Sequence, residues 1–414
     1  MMSIFFFFFQ IIPFIFIGLG IFLYLVLVLG TKDKSGQLTP KSSNFDFCVL
    51  IPARDESAVI ENLFLSLKRQ TLSVSFSDVY VIVEDKQDKT VEIAKRYQVN
   101  VLYRENLARQ RKGYALDEAI RQIILRKEYD AYFIFDADNV LDDCYFEEMK
   151  KTYLEGYDIG IGYRNCKNGN VSVFASCSVL TFSMINTLSN ERKQNNNNTL
   201  TLSGTGFYIT GNFIHQWGGY PFHSLTEDYE LTLYATLHHL KMYYNKNACF
   251  FDEQPTTYRV TKNQRVRWIK GYFEARKKYL PSLRQELKKN PKNRGSLITE
   301  LIGVCPFICF IVGIVLFFII QTINCIFNKI SIFSFLFVVS FTLIVIYLGL
   351  VFVTGYMIRR ENRKLSLTKI SKIKALFFNP IYLVTYLFCA IKALMTKNVS
   401  WVKIEHKDNF SCNH

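Results

Sequence analysis

The chain opens with an uncharged, strongly apolar run over residues 4–29 and returns to uncharged, mostly apolar stretches at about 301–323 and 332–356. Each is long enough to cross a hydrocarbon layer of roughly 30 Å as a helix rising about 1.5 Å per residue. The first run is too long for the core of a signal peptide. It also lacks a basic start and a small-residue cleavage site, so residues 1–30 read as a retained anchor. Residues 31–46 carry Gly, Pro and Ser and read as a linker.

The body between these runs alternates short apolar strands with amphipathic helices. FCVLIPAR (47–54) reads as a buried strand ending in a loop, and the next helix places Val59, Leu63 and Leu67 on one face. VYVIVED (79–85) is a second strand, with DKTVEIAKRYQ as its helix. Residues 112–127 form another helix, and the strand AYFIFDAD follows. This alternation predicts an α/β domain over 47–295, with a mostly parallel sheet and helices on both faces.

From 156 onward the pattern changes. Residues 171–190 predict an apolar or amphipathic helix suited to the membrane interface, and 190–199 an Asn-rich polar loop. SGTGFYIT reads as a Gly-rich turn feeding a short strand. Residues 226–240 read as a helix with an acidic start, and 262–280 as a basic, aromatic helix. In the carboxyl-terminal membrane region, 296–396, residues 366–378 alternate Lys with apolar positions and predict an interfacial helix. Residues 380–395 are apolar but short and contain Lys392, which leaves a tilted fourth span and a re-entrant segment both open. The tail, 397–414, lies outside in the first case and in the cytoplasm in the second.

Charge adds an orientation. Lys and Arg number 50 against 35 Asp and Glu, a net charge of +15. The excess gathers beside the spans, at Lys32 and Lys34, at Lys288, Lys289, Lys292 and Arg294, and at Arg359, Arg360, Arg363 and Lys364. That distribution places 31–300 in the cytoplasm of a multi-pass plasma-membrane protein. No zinc-finger, RNA-recognition or helix-turn-helix pattern points to nucleic acid. The 10 Cys form no CxxC pair and many lie in apolar surroundings, as buried thiols of a reducing compartment do.

The candidate chemistry is acidic and sits at strand ends. FDADN sets Asp136 and Asp138 two positions apart after a long apolar strand. Such a D-x-D can converge on Mg²⁺ or Mn²⁺, with phosphate oxygens completing the shell; in isolation it is more often a solvated loop or a helix cap. Asp85 ends the second strand, as a nucleotide contact or a capping carboxylate. Arg111 and Lys112 offer positive charge to a diphosphate or to solvent. In TED, Thr226 is a candidate cap, Glu227 a first-turn carboxylate, and Asp228 a candidate general base. QRVRW places Gln264, Arg267 and Trp268 on one helical face, for a sugar and its phosphates or for a membrane surface. The phosphate cradles GxxxxGK[S/T] and GxGxxG are absent from the sequence, so ATPase and dehydrogenase chemistry lack their binding loops.

Taken in order, IPARDES, VIVEDKQD, RKGYALD, FDADN, SGTGFYI, LTEDYELT and QRVRW resemble the membrane-integrated family 2 glycosyltransferases, such as cellulose, hyaluronan and poly-N-acetylglucosamine synthases. The resemblance covers about 47–280 and implies a GT-A nucleotide-sugar-binding domain. It puts Ala53 and Glu56 near the nucleotide, Asp85 on the uridine, Lys112 in the nucleotide pocket, Asp136 on the nucleotide-sugar and Asp138 on the metal. Asp228 would be the catalytic base, with Glu227 beside it. Gln264, Arg267 and Trp268 would close over diphosphate and acceptor, and Ser203, Gly204 and Gly206 would shape the acceptor side. The implied partners are a UDP-sugar, UDP-glucose ahead of UDP-N-acetylglucosamine, and a growing glycan or lipid acceptor. The implied reaction is processive, inverting synthesis of a β-linked extracellular polysaccharide with translocation across the membrane; transfer of one or a few sugars to a lipid or lipid-linked acceptor is the alternative. Several family features are missing: there are fewer spans, a single VED replaces paired aspartates, and neither a gating-loop motif nor a cyclic-dinucleotide domain is found.

Overall fold

The strand-forming runs become β1 (Phe47–Pro52), β2 (Val79–Val83), β3 (Asn100–Tyr103), β4 (Ala131–Ile134), β5 (Val140–Leu141), β6 (Ile159–Cys166), β7 (Phe207–Thr210) and β8 (Met242–Asp252). The computed structural model describes residues 2–30, 32–34, 38–41, 43–289, 294–327 and 329–396; the expected tail, part of the linker and Lys292 lie outside them. Among the described residues these strands form one sheet in the order β3-β2-β1-β4-β7-β6-β8-β5. The β3-β2-β1-β4 half is parallel, as is the β6–β8 pair, while β7 and β5 run antiparallel to their neighbours. The strands β3, β5, β6 and β8 are not among the strands expected from the sequence.

The domain's helices are α2 (Ile60–Lys68), α3 (Lys89–Arg96), α4 (Lys112–Ile124), α5 (Tyr145–Leu154), α8 (Gly211–Trp217) and α9 (Glu227–His238); α1 (Met2–Leu29) precedes them. Alternate strand residues point to opposite faces. Val49, Ile51, Val81 and Phe133 therefore pack with α2, α3 and α5, whereas Cys48, Leu50, Tyr132 and Ile134 pack with α4, α8 and α9. Because both faces are covered there, β1, β2 and β4 are apolar at nearly every position.

Between β6 and β7 the chain forms α6 (Val173–Met184), a wider π turn (Ile185–Glu191) and α7 (Arg192–Asn195). The Asn-rich stretch expected as a loop is thus helical through Asn195. Its Lys193 is buried and pairs with Glu300 at 2.9 Å, a tertiary ion pair that holds a locally poor helix former in place.

The remaining helices are α10 (Tyr258–Lys289), α11 (Arg294–Ile302), α12 (Cys305–Ile326), α13 (Ile332–Arg360) and α14 (Lys369–Met395). Among the described residues, four helical stretches, Gln10–Leu29, Arg294–Ile326, Ile332–Arg360 and Lys369–Met395, are long and apolar enough to cross a membrane. The expected interfacial helix 366–378 and the separate segment 380–395 are one continuous helix. Pro380 removes a single backbone donor, and the turn around it, with Asn379, is buried in the packing of the neighbouring helices.

Asp33 joins the domain to the first pair of apolar helices: its carboxylate accepts from Gly295 N at 2.7 Å and Ser296 N at 2.9 Å, capping α11. The second joint lies beyond α13, where Tyr163 donates to Glu361 at 2.9 Å and Arg360 pairs with Glu191 at 2.8 Å.

Candidate active site

Everything expected of the donor side lies past the carboxyl ends of the parallel strands, where ligands bind in open α/β sheets. Ala53 N donates to Ile82 O at 2.9 Å, continuing the sheet beyond β1. Glu56 N donates to Thr90 Oγ1 at 2.9 Å, and Asp55 N to Asp88 Oδ2 at 2.7 Å. Asp88 also caps α3 through Thr90 N. The IPARDES loop is thereby tied to the turn carrying Asp85. Asp85 itself is exposed, and its Oδ1 accepts from Gln87 N at 2.9 Å.

The D-x-D turn is locked to the glycine-rich loop. Asp136 N donates to Thr205 Oγ1 at 2.8 Å, and Thr205 Oγ1 donates to Asn139 Oδ1 at 2.5 Å. Lys112, the first residue of α4, donates to Asp136 Oδ1 at 2.5 Å and to the Gly204 carbonyl at 2.7 Å. Asp138 is buried: Oδ2 accepts from Glu253 N at 2.9 Å and Oδ1 from Asn139 Nδ2 at 3.1 Å. Gly206 has φ +68°, and a Cβ there would lie 2.1 Å from the Phe250 ring, so both backbone and packing require glycine. A Cβ on Gly204 would lie 3.5 Å from Asp228 Oδ2, which places the loop backbone beside the candidate base.

Glu227 and Asp228 begin α9. The expected cap is not made: Thr226 Oγ1 is buried without a hydrogen bond among the described residues and packs where Gly271 of α10 leaves room. Instead, Asp228 Oδ1 accepts from Tyr229 N at 2.8 Å. Burial, reinforced by the neighbouring Asp228 carboxylate, pushes Glu227 up to about 7. Burial also raises Asp228, although Tyr229 N and Lys112 oppose it. For Lys112, burial works against the charge, but Asp136, Glu227 and Asp228 outweigh it and raise the ammonium's pKa. One cation therefore sits within the field of both acidic motifs.

Further residues of this site carry no local motif. Arg164 on β6 donates from Nε and Nη2 to Asp252 Oδ2 at 2.8 and 2.5 Å, and from Nη1 to the Ser203 carbonyl at 2.5 Å. Its guanidinium carbon lies 3.8 Å from the centre of the Phe182 ring, and Trp268 meets the same ring edge-on at 6.1 Å. Arg164 thus links the glycine-rich loop to α6 and QRVRW. The visible signal for Asp252 was an acidic pair closing the strand ACFFDE; Arg164 had none.

QRVRW divides between two sides of α10. Trp268 faces α6, Gln264 is half-buried, and Arg267 Nε is buried without a hydrogen bond among the described residues. Arg265 points instead into α14. Arg111, a candidate phosphate contact, pairs with Glu274 of α10 at 2.7 Å and donates to the His223 carbonyl at 2.8 Å. It braces α4 against α10.

Among the described residues no group of three or more His, Cys, Asp or Glu side chains is placed to hold a metal. The donor set here is the hard-oxygen pair Asp136 and Asp138. That fits a Mg²⁺ or Mn²⁺ ion which takes one or two carboxylates from protein and the rest of its shell from substrate phosphate and water.

Residues 44–271 match the family described as glycosyltransferase-like family 2. The probable glycosyltransferase YdaM of Bacillus subtilis (strain 168) is 23% identical over 239 residues, covering 54% of each chain. This chain thus spans about half the length of that curated relative. The mannosyltransferase PcManGT from Pyrobaculum calidifontis, solved in complex with GDP-Man and Mn²⁺, shares the fold at a TM-score of 0.57 and 12% identity, over 94% of this chain and 100% of its own. The 1–349 portion of S. aureus TarS aligns over 62% of this chain and 70% of its own, at a TM-score of 0.42 and 14% identity. The α/β domain is of the GT-A type, and with more than half of its 414 residues inside the family match, this chain belongs to the glycosyltransferase-like family 2.

Proposed function

We propose that this protein transfers a sugar from a nucleoside diphosphate sugar to an acceptor hydroxyl at the membrane, with inversion at the anomeric carbon. The observation that carries this reading is the bridge made by Lys112, which bonds Asp136 and the Gly204 carbonyl while Gly204 lies beside Asp228. A single sugar placed between those groups touches the donor motif and the base together. In the proposed step, Asp228 takes the proton of the acceptor hydroxyl and the freed oxygen pair attacks the anomeric carbon. The bond from that carbon to the diphosphate oxygen breaks, and the electron pair leaves with the nucleotide. Lys112 stands beside the departing diphosphate. A divalent cation held by Asp138 and Asp136 would neutralise the same charge.

UDP is the nucleotide that the family resemblance supports, and PcManGT, solved with GDP-Man, makes GDP-sugars the second donor class to test. For the product, processive synthesis of a β-linked polysaccharide needs a walled path through the bilayer. The most apolar 18 residues of α13 include no buried residue, its buried Thr354 and Met357 lying near its end, so that wall would have to come from a further copy or another protein. Transfer of one or a few sugars to a lipid-linked acceptor needs no wall, and this exposure favours it. Reconstitution in vesicles with Mg²⁺ or Mn²⁺ and individual nucleotide sugars, read as nucleotide release and product mass, tests both. High-mass glycan supports the polymerase, short glycolipid supports single transfer, and absence of turnover with every donor and lipid acceptor rejects the proposal.

A further inference from the structure

We infer that α14 does not cross the bilayer but lies along its surface on the side of the catalytic domain, as an in-plane membrane helix. By length and apolarity it resembles a span: 27 residues, or about 40 Å at about 1.5 Å per residue. A crossing helix of that length separates its ends by roughly the 30 Å of the hydrocarbon layer. Both ends of α14 are instead tied to the catalytic side. At its start, Thr368 N donates to Asn170 Oδ1 at 2.8 Å, in the loop just beyond β6. At its end, Lys270 Nζ of α10 donates to the Thr396 carbonyl at 2.6 Å.

Lys270 is fixed in depth by its neighbours. Two residues on, Tyr272 Oη accepts from Val304 N at 3.2 Å, where the chain is about to enter α12. Further along α10, Arg276 donates to the Glu300 and Leu301 carbonyls at the end of α11. The helix α10 cannot sink further, since Arg265, Arg267, Lys270, Arg276, Lys277 and Lys278 follow one another along it. The end of α14 therefore lies level with the junction of α11 and α12, where the chain comes from the catalytic domain into α12.

The two faces of α14 agree with this placement. Ile373, Phe377, Ile381, Val384, Phe388 and Ile391 form an exposed stripe at i+3 and i+4 spacing. Ser371, Ala375, Asn379, Tyr382, Cys389 and Ala393 are buried on the opposite side, against α6, α10 and α13. Exposed Lys369, Lys374 and Lys392 flank the stripe, as suits an apolar face sunk among anionic headgroups. The stripe continues the apolar surface of α13, so its occupant is the bilayer that α13 enters.

One consequence reaches the active site. Arg265, inside QRVRW, is gripped by α14: it donates to the Tyr382 carbonyl at 2.9 Å and to Thr385 Oγ1 at 2.6 Å, with the Tyr382 and Tyr386 rings each 3.7 Å from its guanidinium carbon. The depth of α14 in the leaflet thus sets the height of Gln264, Arg267 and Trp268 over the cleft.

The test is topological and does not depend on the proposed reaction. Single cysteines at Lys89→Cys in the domain, Lys329→Cys between α12 and α13, and Met395→Cys at the end of α14 are introduced where the native cysteines are serine. They are probed with an impermeant maleimide in sealed vesicles of known orientation. Should that background fail to fold, an epitope inserted between Met395 and Thr396 of the otherwise native chain is probed with antibody before and after permeabilisation. The inference expects Met395→Cys, or the epitope, to react from the same side as Lys89→Cys and opposite to Lys329→Cys. Reaction from the side of Lys329→Cys makes α14 a fourth span and overturns it.

Discussion

The Lys112 ammonium lies 2.5 Å from Asp136 Oδ1 and 2.7 Å from the Gly204 carbonyl, joining the start of α4 to the D-x-D turn and the glycine-rich loop. Replacing it leaves Asp136 without its cation and, in the proposed reaction, removes a charge from beside the leaving diphosphate. Lys112→Met is expected to lower kcat/KM for the donor by about 10²–10³, the usual cost of one preorganised charge partner. Lys112→Arg restores little, because a planar fork cannot replace a compact ammonium between two oxygens. Steady-state kinetics against donor concentration measure both.

Asp228 is assigned the proton transfer, so Asp228→Asn is expected to reduce kcat by about 10²–10⁴ with donor affinity nearly unchanged. Single-turnover transfer and donor binding, measured separately, give the two numbers. A matching loss in both would return Asp228 to a donor-binding role.

Burial pushes Glu227 up to about 7, so the acidic pair at the start of α9 keeps a proton close to neutrality. A base must be unprotonated, so turnover is expected to rise with pH through an acid limb near 7. Stability moves the opposite way. The folded state keeps a proton that the unfolded chain releases above a pKa of about 4.3, so stability falls as pH rises from there through the folded value. Glu227→Gln should therefore move the limb to lower pH, where Asp228 ionises without a neighbouring carboxylate, and raise the melting temperature more at about pH 8 than at about pH 5. Thermal unfolding in detergent at the two pH values checks the sign.

Asp138, proposed to hold the cation, is fixed in place by Glu253 N and Asn139 Nδ2, which donate to its two carboxylate oxygens. Asp138→Ala is expected to raise the Mn²⁺ concentration for half-maximal turnover by about tenfold or more. A metal titration of activity, alongside donor binding without metal, isolates the effect.

Arg164 and Asp252 form a buried pair, and Asp252 Oδ1 has no hydrogen bond among the described residues. Arg164→Met strands that carboxylate and should cost about 3–5 kcal/mol. Combining it with Asp252→Leu should recover part of the loss. A double-mutant cycle by thermal unfolding measures the coupling.

The sequence by itself determined what local pattern encodes. Runs without charge marked α1, α12 and α13, because hydrocarbon excludes charge over a known thickness. Continuous apolar strands with acidic ends marked β1, β2 and β4 and their carboxyl ends, because a sheet covered on both faces tolerates polarity only where it stops. The strand β3 escaped because NVLY is short and carries no turn signal of its own. Only the tertiary structure decided which motifs meet. Lys112 reaches Gly204 across 92 positions, and Arg164 reaches Asp252 across 88, from strands adjacent in the sheet. It also turned Arg265 away from the rest of QRVRW, gave Arg111 to Glu274, and joined two expected segments into α14. None of these is periodic: each is set by which elements the sheet order and helix packing bring together, a property of contacts distant in sequence that no local window contains.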